Sequence, residues 1–147
     1  MKPIIAIDPG ASGGIAWRDN DGVVDVEPMP EGMTAQIDFL RSLIASLPNA
    51  DAVIEKVGTY MPGNSGPASC TFARHCGHLE AALYALGCPA KAVLPRTWMQ
   101  TMGSLPKDKA DRKRAIKEEM QRRYPALSVT LKTADALGLL VYHIGVK

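Results

Sequence analysis

The sequence predicts a mixed α/β domain built on a central five-stranded sheet, in which a three-strand antiparallel meander joins parallel strands, with helices on the flanks. Three observations lead there. Short apolar runs come first and are joined by tight turns. Segments of helical periodicity then alternate with two further strand-like runs. Two of the buried-type strands also end in an acid.

Residues 3–8 (Pro-Ile-Ile-Ala-Ile-Asp) read as a buried strand closing on Asp8. Gly10 to Gly14 form a turn, and Ile15-Ala16-Trp17 begins the second strand. Asn20-Asp21-Gly22 is a tight-turn signal ahead of a third strand, Val23 to Val26. Thr34 is the expected cap of a helix whose apolar stripe is Ile37, Leu40, Leu43, Ile44 and Leu47. Asp51-Ala-Val-Ile-Glu55 is a fourth strand, followed by a Gly/Pro/Ser-containing loop over 57–66. Pro67 opens a helix reaching Leu86, where Gly87 stops it. Ala90 to Leu94 is the fifth strand, ended by Pro95; residues 107–123 form a basic helix, and a last helix starts near Thr133. No repeat or linker divides the chain, so residues 1–147 are expected to form one domain.

Composition narrows the function classes. With 46% hydrophobic and 22% charged residues, the 147-residue chain has the make-up of a folded domain, and no apolar run approaches a membrane span. No signal peptide is recognisable, so a cytoplasmic location with no membrane partner is expected. Cys70, Cys76 and Cys88 fit neither a disulfide framework nor a zinc site. His75, His78 and His143 show no convincing metal spacing. Net charge is only +2, yet residues 107–123 hold eight basic and four acidic residues. That element suits a polyanion; a solvated helix face laced with ion pairs is the alternative.

Three acids stand where chemistry is expected. Asp8 and Glu55 end strands, at the sheet rim where open α/β sheets place their sites. Asp135 lies in the first turn of the last helix, in an otherwise apolar stretch. Converging carboxylates repel one another and invite a hard divalent cation, Mg²⁺ with Mn²⁺ able to substitute. Two such ions about 4 Å apart can activate a water and stabilise the leaving oxygen of a phosphodiester. Local readings stay open for each acid: Asp8 capping its turn, Glu55 pairing with Lys56 or Arg74, Asp135 favoured by the helix dipole. The Gly-rich turn also resembles that of actin-like ATPases, but those need two such domains. Lys107, Lys109, Arg112 and Lys113 are the candidate DNA contacts. Tyr60, in the loop after Glu55, is a candidate to stack on an unpaired base, with loop packing the alternative. Trp98 reads as a core anchor.

Four segments in order resemble RuvC-type Holliday junction resolvases of the RNase H-like superfamily, in particular phage-type members. They are Ile5-Ala6-Ile7-Asp8-Pro9-Gly10 with Gly14, Val53-Ile54-Glu55 with the following helix, Val93 to Trp98, and Ala134-Asp135-Ala136-Leu137. The resemblance spans nearly the whole chain. It implies an RNase H-like fold, catalytic and metal-binding roles for Asp8, Glu55 and Asp135, and a Mg²⁺-dependent endonuclease that nicks branched DNA such as four-way junctions. It also implies a homodimer, for which the 67–86 helix is the candidate interface. One position departs from the pattern: where the bacterial enzymes carry a fourth carboxylate, three residues before the last, this chain has Lys132. The alternatives are a catalytically impaired branched-DNA-binding protein of the same fold, and a ribonuclease H-type enzyme cutting RNA in hybrids.

Overall fold

A computed structural model describes residues 1–57, 63 and 65–146. Five strands, β1 (Ile4–Asp8), β2 (Gly14–Arg18), β3 (Val24–Pro28), β4 (Asp51–Glu55) and β5 (Ala90–Val93), form one sheet in the order β3-β2-β1-β4-β5. The β1–β2 and β2–β3 pairs are antiparallel, and β1–β4 and β4–β5 are parallel. The expected mixed sheet is therefore present. Polar Asp25 and Glu27 are exposed on β3, an edge strand.

The period of two along β1 sorts its side chains onto opposite faces. Ile5 and Ile7 join Ile15, Ile54, Leu40, Leu43, Leu79 and Leu83 beneath α1 (Met33–Ser46) and α2 (Gly66–Ala85). Ile4 and Ala6 join Ala16, Val53, Ile116, Met120, Leu137 and Leu140 beneath α4 (Lys109–Arg123) and α5 (Ala134–Gly145). The small side chains of Ala6 and Ala16 leave room for α5, which packs on β1 and β2.

Two local expectations change, at the start of α1 and at Pro95, while Pro67 stands in the first turn of α2 as expected. Helix α1 begins at Met33 behind Gly32, whose φ of 84° sets the turn, and no side chain caps it; Thr34 is inside the helix. The cap of α2 is Ser65, whose hydroxyl accepts from the Ala68 N–H. Pro95 does not merely end β5: it opens a short helix, α3 (Pro95–Met99), continued by a 3-10 turn over Gln100–Met102. Proline at a first helical position loses no hydrogen bond, so the same residue both stops a strand and starts a helix. Asp108 caps α4 by accepting from the Asp111 N–H. Among the described residues no helix is long and apolar enough to cross a membrane.

Candidate active site

Parallel pairing of β1 with β4 sets Ile7 opposite Ile54, so the next residues, Asp8 and Glu55, leave the sheet at the same end. Gly14, paired with Asp8 across β1–β2, brings the third acid to them. A Cβ on Gly14 would lie 2.6 Å from the Lys132 carbonyl oxygen, so only glycine lets the segment before α5 press against this end of the sheet. Asp135, in the first turn of α5, is thereby delivered beside β1. The three acids line one cleft of about 390 Å³, together with the Pro9–Gly13 turn, Phe72, Met99, Lys109, Arg112 and Lys113.

The cleft is electrostatically strained. Burial, followed by repulsion from Glu55 and Asp135, holds the Asp8 carboxyl well above its ordinary value. Burial likewise pushes Glu55 up to about 7, with Asp135 adding to the rise and the Trp98 hydrogen bond and Lys113 opposing it. Asp135 is raised by burial, against the pull of Lys113 and Arg112. The Lys113 ammonium stands 4.0 Å from Asp135 Oδ2. A cation from α4 thus already sits among the acids.

The donor chemistry fits a hard divalent cation: three carboxylates, partly desolvated, whose mutual repulsion such an ion would relieve. Among the described residues, however, no three His, Cys, Asp or Glu side chains are arranged to close on one ion. Seating an ion therefore calls for a side-chain adjustment.

The local alternatives are narrowed by the partners observed. Glu55 accepts a hydrogen bond from the Trp98 indole, with Nε1 to Oε2 2.7 Å, and makes no ion pair with Lys56 or Arg74 among the described residues. The basic helix divides. Arg114 pairs with Asp111, and Arg122 and Arg123 pair with Glu119, the pattern of a solvated face. Lys109, Arg112 and Lys113 instead line the cleft. Lys107 lines an adjoining groove with Arg96, Gln100 and Arg112 rather than the cleft itself. Tyr60 lies outside the described residues. Lys132 is exposed, and its backbone is what meets Gly14. The cysteines are free. His75 and His78 stack edge to face at 4.9 Å, and His78 hydrogen-bonds Gln36 at 2.6 Å, which assigns them to α1–α2 packing.

Sequence reading missed Trp98 as a part of the site. The signal was its place: three residues into the helix that springs directly from β5, next to the end of β4. Phe72 and Met99 were missed as cleft walls because they carry no reactive group.

No protein-family model matches the sequence, and no curated protein does. Solved structures do. RuvC of Thermus thermophilus in complex with a Holliday junction substrate is similar over 98% of this chain and 93% of that one, with a TM-score of 0.65 and 14% identity. A second Thermus thermophilus RuvC structure gives a TM-score of 0.59 at 16% identity over 97% and 93%. The resolvase of Fowlpox virus, complexed with Holliday junction DNA, gives 0.55 at 9% identity over 98% and 99%. At these identities the likeness is one of fold: the chain has the RNase H-like fold of RuvC over nearly its full length.

Proposed function

We propose that this protein is a metal-dependent endonuclease that nicks branched DNA, with four-way junctions as the favoured substrate. The observation that carries this is the convergence of Asp8, Glu55 and Asp135 in one cleft whose other charged lining residues are Lys109, Arg112 and Lys113. An acidic centre walled by cations suits a phosphodiester: the acids hold metal, and the cations hold the phosphates on either side. The fold shared with two junction-bound resolvases agrees with it.

In this reading Asp8, Glu55 and Asp135 would hold Mg²⁺, with Mn²⁺ as a substitute. When bound, the metal supplies Lewis acidity at the phosphoryl oxygens and lowers the pKa of an attacking water. Lys109 and Arg112 bind the backbone phosphates and fix the register of the strand. Lys113 balances the charge of Asp135 before metal and substrate arrive, and turns to a phosphate afterwards. Met99, Ile116 and Phe72 give the cleft apolar walls, and low-dielectric surroundings strengthen each of these interactions.

Symmetric cutting of a two-fold junction calls for two sites on one axis, which a homodimer supplies. Helix α2 is the proposed interface. It follows the Glu55 strand, and it leaves Ala68, Ala73, Ala81, Ala85 and Tyr84 exposed.

The test is nicking of a synthetic four-way junction against linear duplex and an RNA–DNA hybrid, in Mg²⁺ and in Mn²⁺. Preferential, paired nicking of the junction is expected. Cutting confined to the hybrid's RNA strand would replace this reading with a ribonuclease, and binding without cutting in either metal would make the protein a junction-binding module.

A further inference from the structure

Trp98 stands apart from the cleft chemistry yet touches it. Its side chain is fully buried, and the indole N–H reaches Glu55 Oε2 at 2.7 Å from 43 residues away in sequence. Each side of the contact is held. The end of β4 is tied to β5 by the Lys56 N–H to Val93 carbonyl bond of 2.7 Å, and α3 begins two residues later. The ring itself lies against Gly138 of α5, where a Cβ would fall 2.5 Å from Cζ3 and 3.1 Å from Cε3. Helix α5, which carries Asp135, thus seats the ring that grips Glu55.

We propose that Trp98 is a positioning residue for the metal centre: its N–H pins one oxygen of Glu55, so that the other, Oε1, is presented to the cation. The inference rests on the carboxylate-metal reading above. A glutamate has three rotatable side-chain bonds, and a ligand that must be ordered on binding binds more weakly. Among the described residues nothing hydrogen-bonds Oε1, so the clamp leaves one oxygen committed and one open. An indole N–H only donates, and it does not titrate in the working range. It therefore cannot compete as a base or proton carrier; it orients Glu55 and, as a donor, also favours the charged form that a cation needs. The contact also links the two walls, since the ring that holds Glu55 packs on Gly138 of α5, the helix that carries Asp135.

The experiment separates the N–H from the bulk of the ring. Trp98 is replaced by phenylalanine and, in a second variant, by benzothienylalanine, which keeps the bicyclic shape and exchanges the N–H for sulfur. Binding of Mn²⁺ is followed through the electron paramagnetic resonance of the free ion. Fold is checked by near-ultraviolet circular dichroism and Tm. With the fold kept, the benzothienylalanine variant is expected to bind Mn²⁺ about 10–100-fold more weakly, the range typical of groups that orient metal ligands. Junction nicking should fall in step at low metal and recover at high metal. Wild-type Mn²⁺ affinity in that variant would overturn the role of Trp98 while leaving the metal centre intact. A wild-type protein whose Mn²⁺ binding is absent, or indifferent to Asp8→Asn, would overturn the metal-centre reading beneath it. Should Trp98→Phe fail to fold, the isosteric variant decides alone.

Discussion

Metal-free protein should lose stability as pH rises through neutrality, and Glu55→Gln should remove much of that loss. Glu55 titrates near 4.5 in an unfolded chain and at about 7 in the folded one, chiefly because burial disfavours its charged form. A carboxyl raised in this way contributes its full stability below 4.5, and that contribution disappears as pH rises through 7. The difference corresponds to roughly 3 kcal/mol. It is an upper value, because Glu55 keeps some contact with water. For a chain of 147 residues, about 2–4 °C of Tm per kcal/mol makes this roughly 6–12 °C between pH 4 and pH 8. Asp8 and Asp135 are raised as well and act in the same direction. Burial lowers His75, His78 and His143, which favours the fold at higher pH, so the wild-type curve alone mixes opposing signs. The difference between Glu55→Gln and wild type isolates the acid. Thermal melts in a metal chelator from pH 5 to pH 8 should show the variant gaining on wild type up to about pH 7 and levelling off above it, and millimolar Mg²⁺ at pH 8 should restore wild type more than the variant. A difference that is flat with pH, or that shrinks as pH rises, would refute the buried, mutually repelling acid cluster.

Other outcomes follow from the same geometry. Replacing Lys109, Arg112 and Lys113 by alanine should weaken junction binding and flatten the plot of log affinity against log salt by about 0.9 for each phosphate no longer neutralised, roughly 2.7 if all three cations bind one; an unchanged slope assigns them to solvent. Gly138→Ala sets a Cβ 2.5 Å from the Trp98 ring and should cost about 1–3 kcal/mol, read as a lowered midpoint in urea. Sedimentation equilibrium at micromolar concentration should return twice the 15.8 kDa chain mass, and Tyr84→Glu on exposed α2 should return it to the monomer; a wild-type monomer with and without junction DNA defeats symmetric cutting through α2.

The frame was readable because strands and helices carry their period in the apolar residues. Ile4 to Ile7 and Ala52 to Ile54 are continuous apolar runs, as strands covered on both faces must be. The acids at their ends were readable too, since a charge closing such a run has only the rim to occupy. Pairing was less legible: nothing in Ile7 or Ile54 alone says that β4 lies beside β1, and the convergence of Asp8 with Glu55 depends on it. Helix caps failed where the chemistry was backbone rather than side chain, as at Gly32. Helix α3 was overlooked because Pro95 signals an ending and a beginning alike. The charge on residues 107–123 was visible, but not its division into a paired outer face and a cleft-lining one, which depends on how α4 is rotated against α5.

The central claim is that Asp8, Glu55 and Asp135 form one metal-dependent cleavage centre. Its most direct measurement is single-turnover nicking of a four-way junction by wild type, Asp8→Asn, Glu55→Gln and Asp135→Asn, with junction affinity measured alongside. Wild type should nick only when Mg²⁺ or Mn²⁺ is supplied. Each variant should lose more than the roughly 100-fold expected of a residue that merely supports a ligand, while junction binding stays near wild type. Metal-independent nicking, or near-wild-type nicking by any of the three variants, would contradict it.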